Sequence, residues 1–183
     1  MAVIVTRVDR ARSEAEIDTV RALVWEFFDR LRDRYPDMLG TIDNYIKIQD
    51  VAGQLANFRS VFLPPAGECF IAFADDEIVG MVMLRPHGRE RCELNRMYVR
   101  ESARGLGLGR QLCQALVDEA RRLGFREIFL DALYRHVEAL PLYRSIGFSD
   151  YSDPDVFDAG DARVVHMRMY LRDANDGGTV ADG

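Results

Sequence analysis

The segment Arg104-Gly105-Leu106-Gly107-Leu108-Gly109 constrains this chain more than any other. It follows a strand expected over residues 92–99. It precedes a stripe of Leu108, Leu112, Ala115, Leu116, Ala120 and Leu123, whose spacing predicts a helix from about Gly107 to Leu123, stopped by Gly124. The first turn of a helix leaves backbone N–H groups unpaired at the positive end of the helix dipole, so it can hold phosphate oxygens. Glycines remove the Cβ atoms that would keep a pyrophosphate away from those donors. Taken alone, the same glycines would equally serve a tight turn or close helix packing. A dinucleotide-binding turn would read G-x-G-x-x-G directly after its strand, with an acidic residue about 20 positions later. Asp131 roughly meets the second demand, but here the spacing is G-x-G-x-G and a loop from Arg100 to Arg104 intervenes. A Walker-type phosphate loop is excluded because no Gly-Lys-Ser/Thr follows.

The flanking pattern reads as alternating strands and helices. A strand is expected over residues 2–8, around Val3-Ile4-Val5-Thr6. Ser13 and Glu16 form a capping-box signature ahead of Ile17, Val20, Val24, Phe27, Phe28 and Leu31, and Tyr35-Pro36-Asp37 should end that helix. A weaker helix is expected from about Asn44 to Phe58, stopped by Pro64-Pro65. A hairpin over residues 69–84 turns at Asp75-Asp76, and a third strand over 92–99 follows a polar turn at Pro86-His87-Gly88. Ile128-Phe129-Leu130 suits a buried parallel strand. A short helix over 139–145, a strand from Gly147 and a last strand over about 163–171 complete one domain, 1–172. The polar, glycine-rich tail 173–183 is expected to be disordered.

Composition narrows the function classes. A chain of 183 residues, 48% hydrophobic, suffices for one buried core. A net charge of -6 argues against a nucleic-acid partner, which needs a basic face. No stretch approaches the roughly 18 apolar residues of a membrane span, and no signal-like leader opens the chain, so a cytoplasmic protein is expected. Cys69, Cys92 and Cys113 lie far apart in apolar segments and read as buried thiols; His87 and His166 are isolated, so no metal site is expected.

Two segments together resemble the GNAT superfamily of N-acetyltransferases. Arg104 to Gly109 matches that family's R/Q-x-x-G-x-G/A loop. His136-Val137-Glu138-Ala139-Leu140-Pro141-Leu142-Tyr143-Arg144-Ser145-Ile146-Gly147-Phe148 resembles its N-x-x-A-x-x-L-Y-x-x-x-G-F segment. The first 60 residues match only in element order. The resemblance implies an α/β fold of the α+β type: a mixed, mostly antiparallel sheet, flanked by helices and splayed at a central parallel pair. It implies acetyl-CoA as co-substrate, with pantetheine along Met97, Tyr98 and Val99 and pyrophosphate on amides of Arg104, Gly105, Leu106, Gly107, Leu108, Gly109 and Arg110. His136 stands where the family usually has an asparagine contacting the coenzyme; the alternative is a surface residue at a helix start.

Acetyl transfer to an alkylamine requires removal of the amine's proton and protonation of the departing thiolate. Glu93 is the candidate base, expected to share a strand face with Asn95 and Met97; the alternative is a structural acid paired with Arg96 or Arg126. By resemblance Tyr143 is the candidate acid, against a role as a core aromatic. The acceptor is expected to be a primary amine, a small metabolite or amino acid rather than a protein, and the chain a monomer or homodimer. Tyr35, Tyr45 and Phe62 are nearer to core aromatics than to acceptor contacts. Asp150, Asp153, Asp155, Asp158 and Asp161 read as a solvated acidic loop. A coenzyme-binding sensor without turnover is the competing reading.

Overall fold

Apolar residues segregate onto two sides of one sheet, and each side is covered by helices drawn from a different part of the chain. The computed structural model describes residues 4–153 and 160–171. In chain order these form β1 (Thr6–Arg10), α1 (Glu14–Arg34), α2 (Leu39–Ile48), α3 (Val51–Ala56), α4 (Phe58–Phe62), β2 (Glu68–Ala74), β3 (Glu77–His87), β4 (Arg91–Val99), α5 (Leu108–Arg122), β5 (Glu127–Leu133), α6 (Ala139–Ile146), β6 (Ser149–Asp150) and β7 (Val164–Tyr170). The sheet runs β1-β2-β3-β4-β5-β7-β6. Every pairing is antiparallel except β4 with β5. That pair is laddered only from Arg91↔Glu127 to Glu93↔Phe129, while β4 continues to Val99 and β5 to Leu133. The sheet therefore splays at its parallel pair, as expected.

The α5 stripe of Leu108, Leu112, Leu116 and Ala120 packs on one face with Ile128, Leu130 and Phe148. On the other face α1 buries Ile17, Val20, Val24 and Phe28 against Ile71, Met81 and Met83. The capping box forms as expected: Ser13 Oγ accepts from the Glu16 N–H, and the Glu16 carboxylate accepts from the Ser13 N–H. Pro141 lies in the first turn of α6, where its missing N–H breaks no helical bond. The three thiols are free and buried.

Five expectations need correction. The first strand starts at Thr6, because the Val5 backbone instead bonds Asp75 at the hairpin turn; residues 1–3 lie outside the described residues, as do Asp155, Asp158 and the tail. The helix expected over 44–58 is three short helices, interrupted at Asp50, which adopts φ +46 and caps Gly53 N–H with its carboxylate. β3 continues through Pro86 to His87, and the strand after Gly147 is only the pair Ser149–Asp150. Finally, β4 carries a bulge: Met81 pairs with Tyr98 but Met83 with Asn95, so Val82 faces both Arg96 and Met97. Arg96 takes φ +52 there. The bulge inverts the alternation, so Met97 packs toward α5 while Glu93, Asn95, Arg96 and Tyr98 lie on the α1 side.

Candidate active site

Where β4 and β5 part, a cleft of about 740 Å³ opens between α1 and the N-terminus of α5. Every residue assigned to the coenzyme on sequence grounds lines it except Leu106, whose side chain packs against the α5-side core. The glycines are required by backbone geometry as well as by space. Gly105 and Gly107 stand at φ +79 and +76, and nothing lies within 4 Å of where a Cβ would project. Helix α5 makes its first backbone bond from Gln111 to Gly107, leaving the N–H groups of 105–110 without a protein acceptor among the described residues. Arg30, Arg34, Arg104 and Arg110 surround the cleft together with Asp33, Glu101 and Glu138. Arg34 and Arg104 converge on Glu138, at 2.9 and 3.6 Å. Among the described residues, the Met97–Val99 edge has no partner on its β5 side.

Phe27, Leu31 and His136 also line a second, smaller cavity of about 120 Å³ and so form the junction between the two. His136 is half-buried at this junction, its ring 5.8 Å from that of Tyr35, and its carbonyl accepts the Leu140 N–H where α6 begins. Burial and the nearby Arg34 push its pKa down to about 4, which keeps the imidazole neutral at pH 7.

Glu93 and Asp131 are the carboxylates of the smaller cavity. Glu93 pairs with neither Arg96 nor Arg126. It accepts from Asn95 Nδ2 at 3.0 Å, contacts His87 Nε2 at 3.1 Å and lies 4.0 Å from Arg85. Burial pushes its carboxyl up, but the bonds from His87 and Asn95 and the charge of Arg85 outweigh burial and hold it below its ordinary value. Asp131, bonded to His166 Nδ1 at 2.6 Å, is instead held above its ordinary value by burial. His87 and His166 therefore each attend a cavity carboxylate. Tyr143 projects from α6 into the α5-side core, edge-on to Phe148, and is not among the residues lining either cavity. Burial raises its hydroxyl well above the ordinary tyrosine value.

Tyr35 and Phe62 are fully buried, whereas Tyr45 lines the smaller cavity. Asp150 and Asp161 are ion-paired to Arg144 and Arg163. Sequence reasoning missed Asn95, Arg96 and Asp131 as cavity residues. Asp131 carried a readable signal, a charge alternating with Ile128 and Leu130 at the end of an apolar strand. Arg96 carried none, because only the bulge turns it inward.

Comparison with known proteins gives a consistent picture. The model of the acetyltransferase (GNAT) family matches residues 19–148. An uncharacterized N-acetyltransferase of Schizosaccharomyces pombe is 34% identical over 132 residues, covering 69% of this chain and 77% of the relative. Among solved structures, an acetyltransferase from Streptococcus agalactiae superposes with a TM-score of 0.71 at 16% identity, covering 91% of this chain and 98% of the other. The PaiA N-acetyltransferase from Thermoplasma acidophilum, crystallised in complex with coenzyme A, gives 0.66 at 16% identity, with coverage of 91% and 99%.

Proposed function

This chain belongs to the GNAT family of acetyltransferases, and from that premise we propose that it binds acetyl-CoA in the larger cleft and transfers the acetyl group directly to a primary amine held in the smaller cavity. The acceptor is a small molecule rather than a protein. The observation that carries the reading is the junction at Phe27, Leu31 and His136, where a glycine-lined, arginine-bearing cleft adjoins a small cavity bearing two carboxylates. The cleft suits the coenzyme because Gly105 and Gly107 leave open space above unpaired amides, where pyrophosphate oxygens find donors.

The thioester supplies an activated acetyl group and a sulfur leaving group. The chain's own residues manage the protons. Glu93, ionised at neutral pH, accepts the proton of the attacking amine directly or through a water as the N–C bond forms. A backbone N–H at Met97 or Tyr98 stabilises the charge that develops on the carbonyl oxygen. Tyr143, kept protonated by burial, gives its proton to sulfur as the C–S bond breaks. His136, neutral and at the junction, offers the coenzyme one hydrogen bond. Residues 1–172 act as one catalytic domain.

Calorimetric titration with acetyl-CoA and, separately, with NAD tests the reading before an acceptor is known. Tight binding of acetyl-CoA and none of NAD is expected. Binding to neither would reduce the glycines to a structural turn, and acetyl-CoA binding without acetyl transfer to any amine would favour a coenzyme sensor.

A further inference from the structure

Arg96 is the ionisable side chain least accounted for by these roles. Its residue is 6% exposed and lines the smaller cavity. The guanidinium carbon lies 5.8 and 5.6 Å from the ring centroids of Phe28 and Phe62, and one terminal nitrogen donates to Gln54 Oε1 at 2.8 Å. Tyr45 lies beside the guanidinium, yet Nε and the other terminal nitrogen are buried without an acceptor of good geometry among the described residues. Arginine stays charged inside proteins, and a buried charge whose N–H groups are unmet is costly. Burial pushes the Arg96 pKa below the ordinary arginine value, an effect that neighbouring Tyr45 and Glu93 offset only in part, and no carboxylate among the described residues is ion-paired with it. Glu93 is taken by His87, Asn95 and Arg85, and Asp131 by His166. The backbone at φ +52 is a conformation an arginine rarely takes, and it is what turns this residue toward the cavity.

A second unmet group accompanies it. Asn95 donates to Glu93 but leaves its own Oδ1 buried without a donor. The cavity therefore lacks an anionic acceptor for Arg96 and an N–H donor for Asn95, the latter beside two carboxylates. A single small molecule supplies both when it carries a carboxylate and an amino group. We propose that the acceptor is a small amino acid, its carboxylate held by Arg96 and its amino group directed to Asn95, Glu93 and Asp131. The inference rests on the acetyltransferase reading and deepens it. A cavity of about 120 Å³ suits an acceptor of this small size.

The test measures thiol release from acetyl-CoA with the protein amino acids, each of alanine, leucine and methionine being matched to the amine that lacks its carboxylate: ethylamine, isoamylamine and 3-(methylthio)propylamine. The amino acid of at least one pair is expected to exceed its amine by about 30-fold or more in kcat/KM, the size of a charge-assisted interaction. Arg96→Gln should collapse that ratio to below about 3-fold, and Arg96→Lys, which keeps the charge but not the planar fork, should leave an intermediate ratio. Acetyl-CoA affinity should persist in both variants. The wild-type ratio is itself decisive if neither variant folds. Equal or better use of the amines, or turnover of none of the amino acids by protein that binds acetyl-CoA, would overturn the carboxylate assignment alone. Failure to bind acetyl-CoA would instead remove the reading beneath it.

Discussion

At the scale of single residues, the two cavity carboxylates are set apart by their neighbours. At Glu93 the partners His87, Asn95 and Arg85 outweigh burial and hold the carboxyl low, whereas at Asp131 burial and the charge of Glu93 outweigh His166 and His87 and hold it high. The sign matters for the pH profile. As the proposed base, Glu93 would work in its deprotonated form, and its folded pKa lies below 4.5, so its own titration would remove activity only in acid; a rise of rate through neutral pH would belong to the proposed amine, whose ordinary pKa is about 10.4. Glu93→Gln should lower kcat/KM about 100-fold at pH 7, the deficit shrinking as pH approaches the amine's pKa, where the nucleophile loses its proton unaided. A pH–rate profile that does not change would make Glu93 structural. Tyr143→Phe should lower kcat about 10- to 100-fold with acetyl-CoA affinity nearly kept, provided chemistry limits turnover; an unchanged rate would return Tyr143 to the core it packs in. Both residues could be singled out in the sequence because they sit in local motifs. Arg96 could not, since its placement depends on a bulge opposite Val82 that no glycine or proline announces.

At the scale of elements, legibility follows how local the cause is. The α1 start was readable because its capping box closes within four residues, and the α5 start because glycines at positive φ are local requirements. The stretch over 44–58 was misread because its break rests on Asp50 adopting a left-handed backbone to cap Gly53. The splay of β4 from β5 is a property of two strands distant in sequence, and only the family resemblance announced it. The α5 N-terminus is where the element argument is most exposed to test. Gly107→Val asks a β-branched residue to hold φ +76 and places its side chain in the cleft. We expect acetyl-CoA binding to be abolished in calorimetry while the circular dichroism of the folded protein is kept. Normal affinity would put the pyrophosphate elsewhere.

At the scale of the whole molecule, α5 has two duties. Its N-terminus faces the cleft, and its far half is pinned to the sheet edge by Glu119, which bonds Arg122 on its own helix and Arg10 on β1 at 2.7 Å. Arg10 and Arg12 also engage Glu68 on β2, so one charge network joins α5, β1 and β2. None of this was readable in the sequence, because Arg10 and Glu119 are 109 positions apart. The Glu119 side chain is 3% exposed, and Arg122 and Arg10 hold its pKa at about 2, against an ordinary 4.5. A carboxyl whose folded pKa is depressed stabilises the fold fully above its unfolded pKa and loses that contribution as pH falls through the folded value. Glu119→Gln should therefore cost about 2 kcal/mol at pH 7, and the gap from the parent protein should close progressively as pH falls from 4.5 toward 2. Urea unfolding of both proteins at pH 7 and in acid measures it. A gap that stays constant would mean that packing of the side chain, not its charge, anchors α5, and that the cleft-facing helix owes nothing to the network behind it.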